Sequence, residues 1–235
     1  MKMQGALGLL LVVVFSTTGS CFEADLGKQV ENYFKQKNMP VESWGLTKDY
    51  IYWTEKRNTQ DEHPITAVLE DWKCKGGKNA SRSKFKSSLC RDKFTWNITR
   101  SIRGPFPLTV NLSVNVFQNG TQELAIVGLD LTNRTEIVWE PQENNMTEPT
   151  ATVRQESCRF SAKAMFRGHF AYKLKEARGD TPLHNSARVT NLQNSTAGLK
   201  TKKNRLQYLI NGTYEHVIIC AATKIVAARR NRSQI

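Results

Sequence analysis

Residues 108–117 read Leu-Thr-Val-Asn-Leu-Ser-Val-Asn-Val-Phe, and this stretch decides the fold class. Apolar residues at every second position, from 108 to 116, alternate with Thr, Asn and Ser, the period of a strand with one buried and one wet face. Asn119-Gly120 follows and is typical of a tight hairpin turn, and residues 123–131 (ELAIVGLDL) read as the return strand. We therefore expect an antiparallel hairpin with one face in contact with solvent.

Around this hairpin, aromatic and β-branched residues indicate short strands over 49–53, 65–72, 94–99 and 136–140, the last extending the hairpin into a meander. Two β-rich blocks, 153–175 and 205–228, come after an acidic, proline-containing segment over 140–152. That segment is either an exposed loop or a linker between two subdomains. An apolar stripe at 26, 30, 33 and 34, behind a capping Asp25, predicts one helix to about residue 37. The expected fold is mainly β, an antiparallel sandwich or barrel with a short N-terminal helix.

The N-terminal segment has the organisation of a secretory signal peptide. Lys2 precedes an apolar run over 6–15, and small residues follow up to Cys21. The run is too short to cross a bilayer, which takes about 20 residues. We expect residues 1–21 to be removed and residues 22–235 to be released as a secreted domain without a membrane anchor.

N-glycosylation acceptors are frequent. The pattern Asn-x-Ser/Thr occurs nine times, where chance would give about two or three. Together with the signal peptide, this frequency predicts an extracellular glycoprotein. The acceptors are Asn79, Asn97, Asn111, Asn119, Asn133, Asn145, Asn194, Asn211 and Asn231, of which Asn119 and Asn211 each begin an Asn-Gly turn signal.

Four cysteines remain after cleavage at Cys21: Cys74, Cys90, Cys158 and Cys220. An even number in a secreted chain predicts two disulfides, so the fold should be disulfide-bonded. Sequence allows three pairings. We favour Cys74–Cys90 with Cys158–Cys220, because each pair encloses a self-contained block.

The chain is strongly basic, with a formal charge of +13; loss of Lys2 with the signal peptide leaves +12. An extracellular protein of this charge is attracted to sulfated glycans, anionic cell surfaces or acidic proteins, and its compartment argues against nucleic acid. A Cys74–Cys90 bridge would pin the most basic stretch, 73–93, into an anion-binding loop whose one acid is Asp92. Its cations are Lys73, Lys75, Lys78, Arg82, Lys84, Lys86, Arg91 and Lys93, and a second cluster comprises Lys200, Lys202, Lys203 and Arg205.

Catalytic patterns are scarce. The histidines at 63, 169, 184 and 216 show no metal-binding spacing, and neither a nucleophile elbow nor a phosphate-binding loop occurs. We therefore expect a protein that binds rather than catalyses, with no cofactor and no metal.

Three stretches, 25–28 (DLGK), 50–58 (YIYWTEKRN) and 71–75 (DWKCK), make the chain similar to tick salivary immunosuppressant glycoproteins of the type described from Dermacentor. The similarity covers most of the mature chain, and it rests on the signal peptide, the basic charge, the many acceptors and the four mature cysteines. It implies a salivary effector that binds a host protein or immune-cell surface and suppresses lymphocyte responses, and it assigns no site residues. The alternatives are a lipocalin-like scavenger of a small host mediator and a glycosaminoglycan-binding surface factor.

Overall fold

The computed structural model describes residues 22–76, 90–118, 121–141, 150–177 and 181–221. Within these ranges the protein is mainly β, with a short N-terminal helix and two disulfides, as the sequence predicts. The helices are α1 (Leu26–Gln36) and α2 (Ile51–Thr54), and a 3-10 helix covers Val189–Leu192. The strands are β1 (Phe22–Asp25), β2 (Val41–Gly45), β3 (Thr66–Lys75), β4 (Cys90–Arg103), β5 (Thr109–Gln118), β6 (Thr121–Asp130), β7 (Glu136–Trp139), β8 (Thr150–Arg167), β9 (His169–Leu174), β10 (His184–Arg188), β11 (Lys200–Lys202) and β12 (Arg205–Ala221).

A seven-stranded sheet forms the centre of the molecule. Its strand order is β1-β4-β12-β8-β3, with β11 added beside β12 and β7 beside β4. The long strand β12 is antiparallel to both of its neighbours, β4 and β8, whereas β1 pairs in parallel with β4. Because β8 and β12 come from the second half of the chain and β3 and β4 from the first, this sheet joins both sides of the 140–152 segment.

Strands β5 and β6 pair over their whole length and form a two-stranded sheet of their own. The hairpin expected from residues 108–117 is therefore confirmed. Its inner face buries Val116, Val127 and Leu129 in the main core, and its outer face leaves Leu124 and Ile126 exposed.

Helix α1 begins at the predicted cap, where the Asp25 carboxylate accepts a hydrogen bond from the Lys28 amide at 3.0 Å. Leu26, Val30 and Phe34 form its buried stripe. The Phe34 ring packs edge-on against residues of β9, with 5.2 Å to the Tyr172 ring and 6.0 Å to the Phe170 ring. The helix thus covers the third sheet, whose order is β10-β9-β2.

The aromatic stretch 49–53 is not a strand, because residues 51–54 form the short helix α2. Tyr52 and Trp53 are both buried, and both pack with Ala171 of β9. Consecutive residues of a strand point to opposite faces, so a strand could not place both rings in one cluster, whereas a helical turn can. Packing therefore overrides the β propensity of these aromatic residues.

Two expectations about pairing are also wrong. Strand β7 does not extend the hairpin; it pairs with β4, where the Trp139 ring lies 5.1 Å from the Phe94 ring. Asn211-Gly212 does not form a turn but lies inside β12, at a register shift. A Cβ on residue 212 would come within 2.5 Å of the Phe160 ring, so glycine is required by close packing here and not by chain reversal.

Cys74, Cys90, Cys158 and Cys220 are all in disulfides, but the favoured pairing is wrong. The bridges are Cys74–Cys158 and Cys90–Cys220, with Cα–Cα distances of 5.6 and 4.0 Å. The first links the neighbouring strands β3 and β8, and the second links directly opposed residues of β4 and β12. Sheet pairing brings together cysteines that lie 84 and 130 residues apart, which spacing along the chain does not reveal.

Candidate functional site

The candidate site is the solvent-facing side of the central sheet, which we call the outer sheet face. Alternate residues of β12, β8 and β4 are buried on the core side, and their neighbours in sequence point outward. A groove of about 1150 Å³ runs over this face. The polar residues that line it include Lys75, Asn97, Arg159, Asn211, Thr213 and Glu215.

Two glycan acceptors lie side by side in this groove. Thr213 is opposite Asn97 in the β12–β4 register, and the Thr99 hydroxyl donates to the Asn211 carbonyl oxygen at 3.3 Å. Asn97 is exposed and Asn211 is half-buried. Diagonal neighbours in a sheet are separated by about 7–8 Å, so glycans on these two residues would leave the same patch of surface.

The other described acceptors differ in what their side chains contact. Asn111 is exposed on the outer face of the β5–β6 hairpin. The Asn133 amide donates to the Gly104 carbonyl oxygen at 3.3 Å, and the half-buried Asn194 amide donates to the Gln29 side chain at 3.0 Å. Among the described acceptors, Asn97 and Asn111 are exposed on strands, whereas the side chains of Asn133 and Asn194 are each held by two hydrogen bonds. Asn79, Asn119, Asn145 and Asn231 lie outside the described residues.

The expected anion-binding loop is not a single site among its described members. Lys73 and Lys75 lie on β3, Arg91 and Lys93 lie on β4, and two strands separate β3 from β4. At about 4.8 Å per strand, the two pairs are at least about 14 Å apart. Arg91 and Lys93 also pair with Glu140, at 3.2 and 3.5 Å. Without a Cys74–Cys90 bridge, the argument for a pinned loop no longer holds; Lys78, Arg82, Lys84 and Lys86 lie outside the described residues.

Tertiary structure instead joins members of both basic clusters at one end of the outer sheet face. Asp71 is hydrogen-bonded to Lys163, and the charges of Lys163, Lys73 and Lys202 act on it as well. The Lys163 hydrogen bond and these charges hold the pKa of the Asp71 carboxyl below its usual value. Arg205 lies beside them, 3.6 Å from Glu70. We call this set the basic end: four cations, Lys73, Lys163, Lys202 and Arg205, around two acids, Glu70 and Asp71.

Asp92 is buried rather than part of the basic surface. Its carboxylate is fully inaccessible and lies 2.7 Å from Nε2 of His216 on the neighbouring strand. The His216 ring stacks on Phe94 at 4.2 Å between ring centres. No sequence pattern reveals this pair, because 124 positions separate the two residues.

A second polar network surrounds Glu62. Its carboxylate accepts hydrogen bonds from Tyr52 at 2.7 Å, Ser186 at 2.5 Å and the Thr59 amide at 3.1 Å. Burial would raise the pKa of Glu62, but the hydrogen bonds from Ser186, Tyr52 and Thr59 outweigh it and hold this pKa below its usual value.

The network also affects its neighbours. Burial, followed by the hydrogen bond to Glu62 and the charge of that carboxylate, raises the pKa of Tyr52 to about 12. Burial lowers the pKa of His169 even though the Glu62 carboxylate opposes that change. The Ser186 hydroxyl contacts Glu62 directly, so the network ties the 55–62 loop to β10 and is not arranged as a Ser-His-acid relay.

Across the described ranges, no three His, Cys, Asp or Glu side chains are grouped so that they could hold a metal ion. In the same part of the chain, no helix is both long enough and apolar enough to span a bilayer.

Comparison with known proteins leaves the family open. No protein-family model matches the sequence, and no curated protein matches it. Among solved structures, the chain is similar to a non-toxic crystal protein from Bacillus thuringiensis, with a TM-score of 0.45 and 10% identity over 84% of this chain and 94% of that one. It is also similar to the Cry23Aa1 and Cry37Aa1 binary protein complex (TM-score 0.43, 10% identity, 83% and 85% covered) and to the Mpp75Aa1.1 beta-pore-forming protein from Brevibacillus laterosporus (0.29, 10%, 83% and 86%). Similarity at this level carries no information on what this chain binds.

Proposed function

We propose that this chain is a secreted, N-glycosylated effector that binds a host protein or immune-cell surface and suppresses lymphocyte responses without catalysis. The observation that carries the extracellular part of the proposal is the position of the acceptors on strands. Asn97 and Asn111 both point to solvent from sheets whose opposite faces form the core. An acceptor on a core face could not carry a glycan in the folded protein.

The disulfides support the same compartment. Both bridges link long strands of the central sheet and close large loops, so their formation in an oxidising compartment would stabilise the fold substantially. Cytosolic proteins rarely keep such bridges. The immune activity rests on the similarity to tick salivary immunosuppressants noted above.

A lymphocyte assay with protein secreted from insect cells tests the proposal. The purified chain should begin near Phe22, lose mass on enzymatic deglycosylation and reduce mitogen-driven proliferation of host T lymphocytes in a dose-dependent way. Heat-denatured protein serves as the control for contaminants. Cellular retention of an unmodified chain would refute secretion, and undiminished proliferation with a correctly folded glycoprotein would refute the immune role.

A second candidate, binding of sulfated glycans, is favoured by the basic end. Exposed cations contribute little singly, but several facing one polyanion act together and in a strongly salt-dependent way. Replacing Lys73 and Lys202 with Glu should release the protein from a heparin column at clearly lower salt. The matched control is the same replacement at Lys28 and Lys35, two exposed residues of α1. Equal elution of the two variants would mean that net charge alone sets retention.

A further inference from the structure

A separate cavity of about 590 Å³ lies away from the outer sheet face, among three loops. Thr47, Lys48 and Asp49 come from the loop after β2, residues 63–66 from the segment that leads into β3, and Pro105 and Phe106 from the loop after β4. The volume falls within the range of small-molecule sites, about 300–1,000 Å³.

The floor of this cavity is apolar and rigid. Ile65 and Phe106 are 5% and 8% exposed, and the Phe106 ring packs against Phe166 in the main core at 6.0 Å. Pro64 and Pro105 add apolar walls of restricted backbone. Such walls accommodate a flat hydrocarbon group about the size of one ring.

One wall is held in place by the turn between β8 and β9. The His169 amide donates to the His63 carbonyl oxygen at 2.9 Å, and residue 168 approaches the same loop closely. Gly168 has a φ of +102°, and a Cβ there would lie 2.5 Å from the Pro64 carbonyl oxygen. Only glycine allows this approach without strain, so the position of His63 is fixed by the fold.

Two polar groups of the rim, His63 and Asp49, can accept hydrogen bonds. Nδ1 of His63 lies 2.9 Å from the Pro64 carbonyl oxygen, and a carbonyl can only accept. In the tautomer in which Nδ1 donates to this oxygen, Nε2 is a hydrogen-bond acceptor. The Asp49 carboxylate accepts from the Thr47 hydroxyl at 3.4 Å, a long contact that leaves most of its accepting capacity unused.

We propose that this cavity binds a small organic ammonium ion, with its apolar body on Ile65 and Phe106 and its N–H groups directed at Asp49 and His63. A primary ammonium brings three donors and one positive charge, which match a carboxylate, an imidazole lone pair and a hydroxyl oxygen. Lys48 is exposed on the same rim, and its positive charge weakens the binding of a cation. The site is independent of the lymphocyte activity proposed above.

Three probes that share a phenyl group test the proposal on the secreted, disulfide-bonded chain: 2-phenylethylammonium, 2-phenylethanol and 3-phenylpropionate. Calorimetry or ligand-observed NMR should show the ammonium binding about tenfold more tightly than the alcohol, as expected for a charge-assisted contact. The carboxylate should bind most weakly. Equal binding of ammonium and alcohol, preference for the carboxylate, or no binding of any probe would each overturn the proposal.

Matched variants locate the effect. Asp49→Asn should remove the preference for the ammonium and leave alcohol binding unchanged, whereas Lys48→Met should strengthen ammonium binding. Glu31→Gln is the control, since it removes the same charge from an exposed position of α1 that does not line the cavity. If Asp49→Asn and Glu31→Gln weaken binding equally, only the net charge of the protein acts and the site is refuted.

Discussion

Pairs of cysteine-to-serine substitutions should distinguish the disulfide pairing seen in the structure from the pairing favoured by spacing. Cys74→Ser with Cys158→Ser removes one whole bridge and leaves Cys90–Cys220 intact. Cys74→Ser with Cys90→Ser changes the same number of cysteines but breaks both bridges. Under the pairing expected from spacing, the Cys74/Cys158 variant would lose both bridges and the Cys74/Cys90 variant would lose only one.

The magnitudes follow from loop length. The residues joined by the two bridges are 84 and 130 positions apart, for which chain entropy gives about 4.6 and 5.0 kcal/mol. Losing the first bridge alone should lower the melting temperature by roughly 9–18 °C at this chain length. Losing both costs up to about 9–10 kcal/mol if the terms add, which approaches the whole stability of a typical domain, about 5–15 kcal/mol.

Guanidinium unfolding followed by tryptophan fluorescence measures the difference, because Trp96 is fully buried. The Cys74/Cys158 variant should show a cooperative transition at a reduced midpoint, and the Cys74/Cys90 variant should be unfolded or fail to be secreted. Non-reducing peptide mapping of the unmodified protein provides an independent check. A Cys74/Cys90 variant as stable as the Cys74/Cys158 variant would refute the pairing and the strand register on which it depends.

Three further perturbations test the buried polar groups and the tight turn. His216→Leu should destabilise the fold by about 3 kcal/mol in chemical denaturation, because it removes a hydrogen-bonded partner from the inaccessible Asp92 carboxylate; a loss below about 0.5 kcal/mol would contradict the pair. Gly168→Ala should cost about 2 kcal/mol, since φ is +102° there, and an unchanged midpoint would argue against the turn. The pKa values of His169 and Glu62 are both lowered in the folded state, so the unfolded chain binds more protons in acid and stability should fall as pH drops. Thermal melts should show the first loss below the usual histidine value of 6.5 and the second below the usual glutamate value of 4.5; a melting temperature that is flat across both windows would be the contrary result.

The glycan acceptors show how local and tertiary information combine. Alternation alone placed Asn97 and Asn111 on the wet faces of strands, and the structure agrees. It could not show that Asn211 lies beside Asn97 on the same face, because that depends on the pairing of β4 with β12. Asn211-Gly212 has the composition of a turn, and the close approach of the Asn97 carbonyl oxygen and the Phe160 ring to residue 212 explains a glycine inside a strand.

The sequence by itself determined whatever depends on near neighbours in the chain. The alternation over 108–117 defined a hairpin strand, and the spacing of Leu26, Val30 and Phe34 behind Asp25 defined a capped helix. These features arise from the geometry of successive residues, whose side chains repeat every two positions in a strand and every 3.6 in a helix.

Only the tertiary structure decided which distant residues meet. It paired Cys74 with Cys158, placed Asp92 against His216 and gathered Lys73, Lys163 and Lys202 around Asp71. The first two contacts follow from the strand order β4-β12-β8-β3, in which no two neighbours are consecutive in the chain, and the third also requires β11 beside β12. Strand order depends on how whole sheet faces are buried against one another. The pattern of a single strand shows that one of its faces is apolar, but it does not show which partner covers that face.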